Sequence, residues 1–224
     1  MREAELVELH LDSIEEALAA VGRGECVVVM DDRNRENEGD LVMAAQFATP
    51  EKLAFIIRHT TGIVCVGLEA ARVDALALPP MVPSNSDRHQ TAFTVSVDLR
   101  DGTTTGVSAA DRAKTILGLA DERVGADAFM RPGHLFPLRA RPAGVLERAG
   151  HTEAAVDMTR LAGCYPAGVI CEITNDDGTM ARLPDLLVFA RRHGLKIVTI
   201  ADLIRYRLAH DRTDASAPPV RQSA

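Results

Sequence analysis

The 224-residue sequence predicts an α/β (α+β) fold, and three observations carry that reading. Short apolar runs of strand length alternate with stretches of helical periodicity along most of the chain. A hydrophobic content of 46% is enough to bury a sizeable core. Neither an internal repeat nor a linker is visible, so a length that would also suit two small domains is read as one.

Each element follows from local signals. A first helix starts at Ser13, where S-I-E-E forms a capping box with Glu16, and it runs out at Gly22 and Gly24. A strand follows over residues 25–30. "TPEKLAFIIRHTTG" is a second helix, with Thr49 as cap, Pro50 at the first helical position and Gly62 as stop. It leads into the strand "IVCVGL" and a short helix with an acidic cap. "LPPMVPSNSDRHQ", with three prolines and several small polar residues, is a long loop, either a segment that moves over a site or plain connection. "TAFTVSVDL" alternates like a half-buried strand, "SAADRAKTILGLADE" is a helix capped by Ser108, and "HLFPLRA" is a strand. The helix "HTEAAVDMTRLAG", strand "AGVICEI", turn "NDDGT", helix "LPDLLVFARRHG", strand "KIVTI" and helix "ADLIRYRLAH" complete the pattern. Apolar periodicity stops after His210. The domain is therefore expected to span residues 1–211, and residues 212–224 to form a disordered tail.

Composition excludes some partners. A net charge of -7 with no basic run leaves no electrostatic footprint for nucleic acid or an anionic membrane surface. Nothing near Met1 resembles a signal peptide and no apolar run approaches a membrane span, so the expected location is the cytoplasm. The four cysteines, Cys26, Cys65, Cys164 and Cys171, form no CxxC and no zinc spacing. Reduced thiols, three of them in the core, are expected.

The chemistry candidates sit where strands end. "DDRNRENEGD" directly follows the apolar run "ECVVVM" and holds Asp31, Asp32, Glu36, Glu38 and Asp40 with Arg33 and Arg35 between them. Like charges so close raise one another's pKa unless something offsets them. The stretch is either a solvated turn with internal ion pairs or a site for a hard, oxygen-preferring cation such as Mg²⁺. In "LERAGHTEAAVDM", Arg148, Gly150, His151 and Thr152 arrive as a helix begins, where free N–H groups and the helix dipole favour an anion such as phosphate. His151 there is a metal ligand or a satisfied loop histidine. A related anion nest is possible at Thr104, Thr105, Gly106 and Ser108, where capping explains part of the pattern equally well. His134 opens a strand, and Glu172 ends an apolar one, either turned to solvent or held as a general base. Cys65 reads as core.

Taken together, "DDRNRENEGDLVMAA", "HTTGIVCVGL", "TTTGVSAADR", "RPGHLFPLRA", "RAGHTEAAVDM" and "PAGVICEITNDDGTMAR" resemble the 3,4-dihydroxy-2-butanone 4-phosphate synthases of riboflavin biosynthesis, from about Ser13 to His210. The resemblance implies a mixed β-sheet with helices packed around it. It also implies a lyase that converts D-ribulose 5-phosphate to L-3,4-dihydroxy-2-butanone 4-phosphate and formate, with Mg²⁺, or Mn²⁺ in its place, as two ions per site. Glu36 and His151 would be the metal ligands. Arg35, Glu36, Asp40, Thr105, Arg148, Ala149, Gly150, His151, Thr152 and Glu172 would bind the substrate. Glu172, His134, Asp31 and Cys65 would serve the chemistry. A homodimer with shared active sites is implied, as is a monofunctional form without the fused GTP cyclohydrolase II domain of some members. One departure is visible: Ala149 stands where the family commonly has the first of two glycines. A Mg²⁺-dependent sugar-phosphate phosphohydrolase and a non-catalytic sugar-phosphate binding protein are the competing readings.

Overall fold

The computed structural model describes residues 10–214. Among the described residues seven strands form one mixed sheet. In chain order they are β1 (Val27–Met30), β2 (Gly39–Ala44), β3 (Cys65–Leu68), β4 (Val97–Leu99), β5 (Phe129–Arg139), β6 (Ala167–Glu172) and β7 (Lys196–Thr199). Their spatial order is β4-β5-β3-β6-β2-β1-β7. The pairs β1–β7 and β3–β5 are parallel, and β1–β2, β2–β6, β3–β6 and β4–β5 are antiparallel.

The described residues also form seven α-helices that cover the sheet: α1 (Ile14–Gly22), α2 (Pro50–His59), α3 (Ala70–Ala75), α4 (Ala109–Leu119), α5 (His151–Leu161), α6 (Leu183–His193) and α7 (Ile200–Asp214). The core divides between the two faces. Leu53 and Ile56 of α2, Ile116 and Leu119 of α4 and Leu186 of α6 pack with Val28, Met30, Leu41 and Met43. Leu18 and Val21 of α1, Ala155 and Met158 of α5 and Leu203 of α7 pack with Val27, Val29, Val42 and Ala44. Successive residues of β1 and β2 thus enter opposite cores, which is why "VVVM" is apolar at every position rather than every second one. Among the described residues no helix is long and apolar enough to cross a membrane.

Most expected elements are present, including the Ser13–Glu16 capping box, the Thr49 cap with Pro50 behind it and the Ser108 cap. Three differ. The strand β2 was not expected, because its first two residues, Gly39 and Asp40, read as the end of the acidic loop. The run expected as a strand over residues 91–99 pairs continuously only over Val97–Leu99, with isolated bridges at Phe93 and Thr94. The strand expected from His134 begins instead at Phe129, with Arg131–His134 bulged out of the ladder. Helix α7 runs to Asp214, past the boundary expected after residue 211, and the rest of the expected tail lies outside the described residues.

Helix α5 fixes the site's back wall. Its residues His151–Thr159 are all buried although several are polar. Glu153 pairs with Arg148, and Asp157 takes Arg207, Arg160 and the N–H of Val145, so the buried charges are matched. The helix lies close to the sheet because β3 and β6 carry glycines beneath it. A Cβ at Gly67 would stand 2.9 Å from the Thr152 carbonyl oxygen, and one at Gly168 would stand 2.6 Å from the Ala155 Cβ.

Candidate active site

The connection from β1 to β2 carries the acidic cluster, and it contains both readings the sequence allowed. Asp32 accepts the Asn34 N–H at 2.7 Å in an exposed turn, so that half is a solvated loop. Asp31 instead points inward and is buried. Its Oδ2 accepts from the Glu36 N–H and from Arg35 Nη1, each at 3.0 Å, and its Oδ1 accepts the Glu38 N–H at 2.9 Å. From the start of α6, Arg182 donates to the Glu36 carbonyl at 2.9 Å and also to that of Asn37, whose φ of 55° is left-handed. Asp31 from inside and Arg182 from outside therefore clamp the loop, and Glu36 and Glu38 face the sheet's end.

Here the loop meets the end of β6 and the start of α5. A cavity of about 230 Å³ is lined by Arg35, Glu36, Glu38 and Asp40, by Cys65 of β3, Glu172 of β6, and Arg148, His151 and Thr152 at the start of α5. Strand register explains part of this convergence: Asp40 lies opposite Glu172, and Cys65 opposite Ile170, on the face that α5 covers. Thr61 holds the Glu172 carboxylate through a 2.7 Å hydrogen bond from its hydroxyl, while its N–H donates to the Glu172 carbonyl at 2.9 Å.

The electrostatics favour a cation. His151 is buried, and its Nε2 lies 3.1 Å from the Val29 carbonyl. A carbonyl can only accept, so Nε2 carries the proton and Nδ1 presents a lone pair. Burial also pushes the His151 pKa down, against the attraction of Asp31 and Glu36. That lone pair faces Asp40 Oδ1 at 3.8 Å and Glu36 Oε2 at 3.9 Å. Among the described residues Asp40 Oδ1 has no hydrogen-bond partner. Burial first, and then Glu172, Glu36, Glu38 and Asp31, hold the Asp40 carboxyl well above the ordinary carboxylate range. Acceptors facing acceptors is the arrangement a cation would complete. Asp31, Glu36 and His151 each offer a ligand atom within 4.8 Å of the others. Both Asp31 oxygens already hold the loop, which leaves Glu36 and His151 as the freer pair.

Several expected residues behave differently. Arg148, read as a phosphate partner, gives Nη1 to the buried Glu153 at 2.6 Å, Nη2 to the Thr91 hydroxyl at 3.0 Å and Nε to the His89 carbonyl at 3.1 Å. Its guanidinium ties the segment before β4 to α5, and free N–H groups at the start of α5 remain for an anion. Gly150 makes room for it, since a Cβ there would stand 2.2 Å from Arg148 Nη1. Ala149 is exposed, so the methyl at the one departure from the family pattern projects into solvent. Burial, followed by the Glu172 charge, pushes the Cys65 thiol well above its usual range, which suits a wall and not a thiolate nucleophile. The nest before α4 is filled by the chain itself: Asp111 accepts from the Thr104 hydroxyl at 2.7 Å and the Gly106 N–H at 3.1 Å.

Thr105 and His134 do not line this cavity. His134 belongs to a second cluster, around Asp98, and Thr105 is exposed, next in sequence to Gly106. His134 binds Asp98 through its N–H at 2.9 Å and its Nδ1 at 2.7 Å, and Gly106, next to Thr105, presses against the same carboxylate. The roles of Thr61, Arg182 and Thr91 were not foreseen. Thr61 falls within a quoted motif, but nothing in the sequence shows which carboxylate it would meet.

The family model described as 3,4-dihydroxy-2-butanone 4-phosphate synthase matches residues 15–206. The chain is 58% identical over 198 residues to the 3,4-dihydroxy-2-butanone 4-phosphate synthase of Agrobacterium fabrum, covering 88% of this chain and 93% of that one. It is 56% identical over 211 residues to the riboflavin biosynthesis protein RibBA of Aquifex aeolicus, covering 93% of this chain and 52% of that one, so it spans about half the length of that relative. Among solved structures it is similar to a 3,4-dihydroxy-2-butanone 4-phosphate synthase in complex with two magnesium ions, with a TM-score of 0.86 and 45% identity over 90% of this chain and 99% of that one. The synthase of Candida albicans gives a TM-score of 0.81 and 50% identity over 88% of this chain and 97% of that one. The chain belongs to the 3,4-dihydroxy-2-butanone 4-phosphate synthase family.

Proposed function

We propose that this protein converts D-ribulose 5-phosphate to L-3,4-dihydroxy-2-butanone 4-phosphate and formate. The observation that carries the reading is the unpartnered Asp40 Oδ1 facing the lone pair of His151 among four further carboxylates. Such a centre is built to hold a divalent cation, and Glu36 and His151 would hold it, in keeping with a relative crystallised with two magnesium ions. The oxygen-rich donor set suits Mg²⁺, and Mn²⁺ accepts similar ligands. A bound cation supplies Lewis-acid stabilisation of negative charge developing on sugar oxygens.

The chain's own residues supply the rest. The start of α5 offers N–H groups to the phosphate, and Arg35 and Asp40 orient the hydroxyls. Glu172, held by Thr61, stands at the cavity's rim as the group that moves a proton. Overall the five-carbon sugar phosphate divides into a four-carbon phosphate and formate with all atoms balanced, so no oxidant or reductant is required. Formate released from ribulose 5-phosphate by the purified, Mg²⁺-loaded protein tests the reading. Inorganic phosphate without formate would identify a phosphohydrolase, and saturable binding without turnover a binding protein.

We further propose that the active protein is a homodimer in the cytoplasm, in which Thr105 and His134 of one subunit complete the cavity of the other. Their separation from the cavity within one chain supports this. If so, inactive Glu36→Ala and inactive His134→Asn proteins, mixed and allowed to exchange subunits, should recover about a quarter of wild-type specific activity, since about half the dimers are mixed and each has one of two sites intact. No recovery, with exchange confirmed by mass, would place both residues in one chain's site.

A further inference from the structure

A bulge in β5 sets up a pairing that the reaction scheme leaves unused. Val97 of β4 stands opposite Leu135, but the next residue, Asp98, stands opposite Met130, so residues 131–134 loop out against a single step of β4. Gly133 permits this, because a Cβ there would lie 2.0 Å from the Val97 carbonyl carbon. The bulge turns His134 back onto Asp98. The Asp98 side chain is 5% exposed, and among the described residues its carboxylate hydrogen-bonds to His134 alone, through Oδ1 to the backbone N–H at 2.9 Å and Oδ2 to Nδ1 at 2.7 Å. Gly106, with a φ of +84°, exists in this form to clear the acid: a Cβ there would lie 2.0 Å from Asp98 Oδ2. The His134 side chain is 46% exposed, and among the described residues no hydrogen bond engages its Nε2.

We propose that Asp98 is a positioning residue that holds the proton of His134 on Nδ1, so that Nε2 is the proton-accepting atom His134 offers to the reaction. The proposal rests on the reading of His134 as part of the site. A carboxylate only accepts, so a neutral imidazole paired with it carries its proton on Nδ1 and leaves the Nε2 lone pair free. Two hydrogen bonds to one residue set both the ring's position and its tautomer.

The pairing itself makes the test selective. In Asp98→Asn the backbone N–H of His134 can only donate, so the amide oxygen must take the Oδ1 position and the NH₂ group must face Nδ1. Nδ1 then has to accept, and the ring proton moves to Nε2. Both hydrogen bonds survive, a purely structural staple is preserved, and only the side of the ring bearing the proton changes. Long-range ¹H–¹⁵N spectra of the intact protein at about pH 9, above the ordinary imidazole range, should show the His134 proton on Nδ1 in wild type and on Nε2 in Asp98→Asn. Formate-release assays should show kcat reduced about 10²-fold or more with KM within about threefold, the pattern of a lost proton acceptor. A wild-type proton on Nε2, an unchanged tautomer in a folded Asp98→Asn protein, or an unchanged kcat would overturn the proposal. The wild-type spectrum needs no variant, and it decides the pairing even if wild type released no formate, an outcome that would sink the functional reading.

Discussion

Replacing Asp40 with asparagine should make the metal-free protein more stable, and increasingly so as pH rises. Asp40 is buried, one of its oxygens has no partner, and burial together with four neighbouring carboxylates raises its pKa well above the ordinary value. A carboxyl whose folded pKa is raised binds more protons folded than unfolded, so folding is favoured while pH is below the folded pKa. That advantage declines as pH climbs from the unfolded pKa, about 4, towards the folded one. Across that window the loss is about 1.4 kcal/mol per pH unit. For a domain of this size that corresponds to roughly 3–6 °C in Tm per pH unit. Asparagine does not titrate, so the difference in Tm between variant and wild type, measured by calorimetry after exhaustive chelation, should widen across the window. Burial lowers the His151 pKa, and its contribution therefore rises with pH up to about 6.5; it largely cancels in the difference between the two proteins. Saturating Mg²⁺ should reverse the ranking, since it stabilises the wild type by mass action and finds a poorer site in the variant. Parallel Tm profiles in the metal-free state would refute the idea that Asp40 is held in a strained, cation-requiring environment.

Glu36→Ala or His151→Ala should abolish divalent-ion binding by calorimetric titration and activity with it while leaving the circular dichroism spectrum intact, because neither contributes to the sheet cores. Glu172→Gln should keep KM within about tenfold and lower kcat roughly 10²-fold or more in the formate assay. Thr61→Val should fall between that variant and wild type, and Thr61→Ser, which keeps the hydroxyl that holds Glu172, should restore turnover. Gly150→Ala should destabilise by about 1–3 kcal/mol in urea unfolding, because its Cβ would collide with Arg148, whereas Ala149→Gly should change stability by no more than about 1 kcal/mol.

The sequence revealed elements whose causes are local. The serine and threonine caps, Pro50 and the apolar runs act within a few residues, and they appear where expected. It concealed what depends on pairing partners. Gly39 and Asp40 look like loop until β6 lies beside them, and Pro132 hides a strand that accommodates it in a bulge. In the site, the carboxylates and His151 were legible as residue types, and the resemblance grouped them. Their division of labour was not: Asp31 has become the loop's internal anchor because it turns inward to the Glu36 and Glu38 N–H groups, and Arg148 a strut because it meets the buried Glu153 and, far along the chain, Thr91. Asp111, in the same way, closes an anion nest that looked open.

The burial of α5 on every side sets how the site can adapt. Surface helices fray, but a helix enclosed from His151 to Thr159 can open only when the core around it does. Its amides should be among the slowest to exchange with solvent deuterium, and His151 is held there as firmly as any core residue. Accommodation of a ligand must then fall on the more exposed Arg33–Glu38 connection, whose Glu36 faces His151 of α5, and on the proline-rich stretch before β4, whose Thr91 is held by Arg148 just ahead of α5. Seen this way, the cavity has one wall that cannot yield and two that can, and exchange rates measured with and without Mg²⁺ should change at residues 33–38 and 79–91 long before they change in α5.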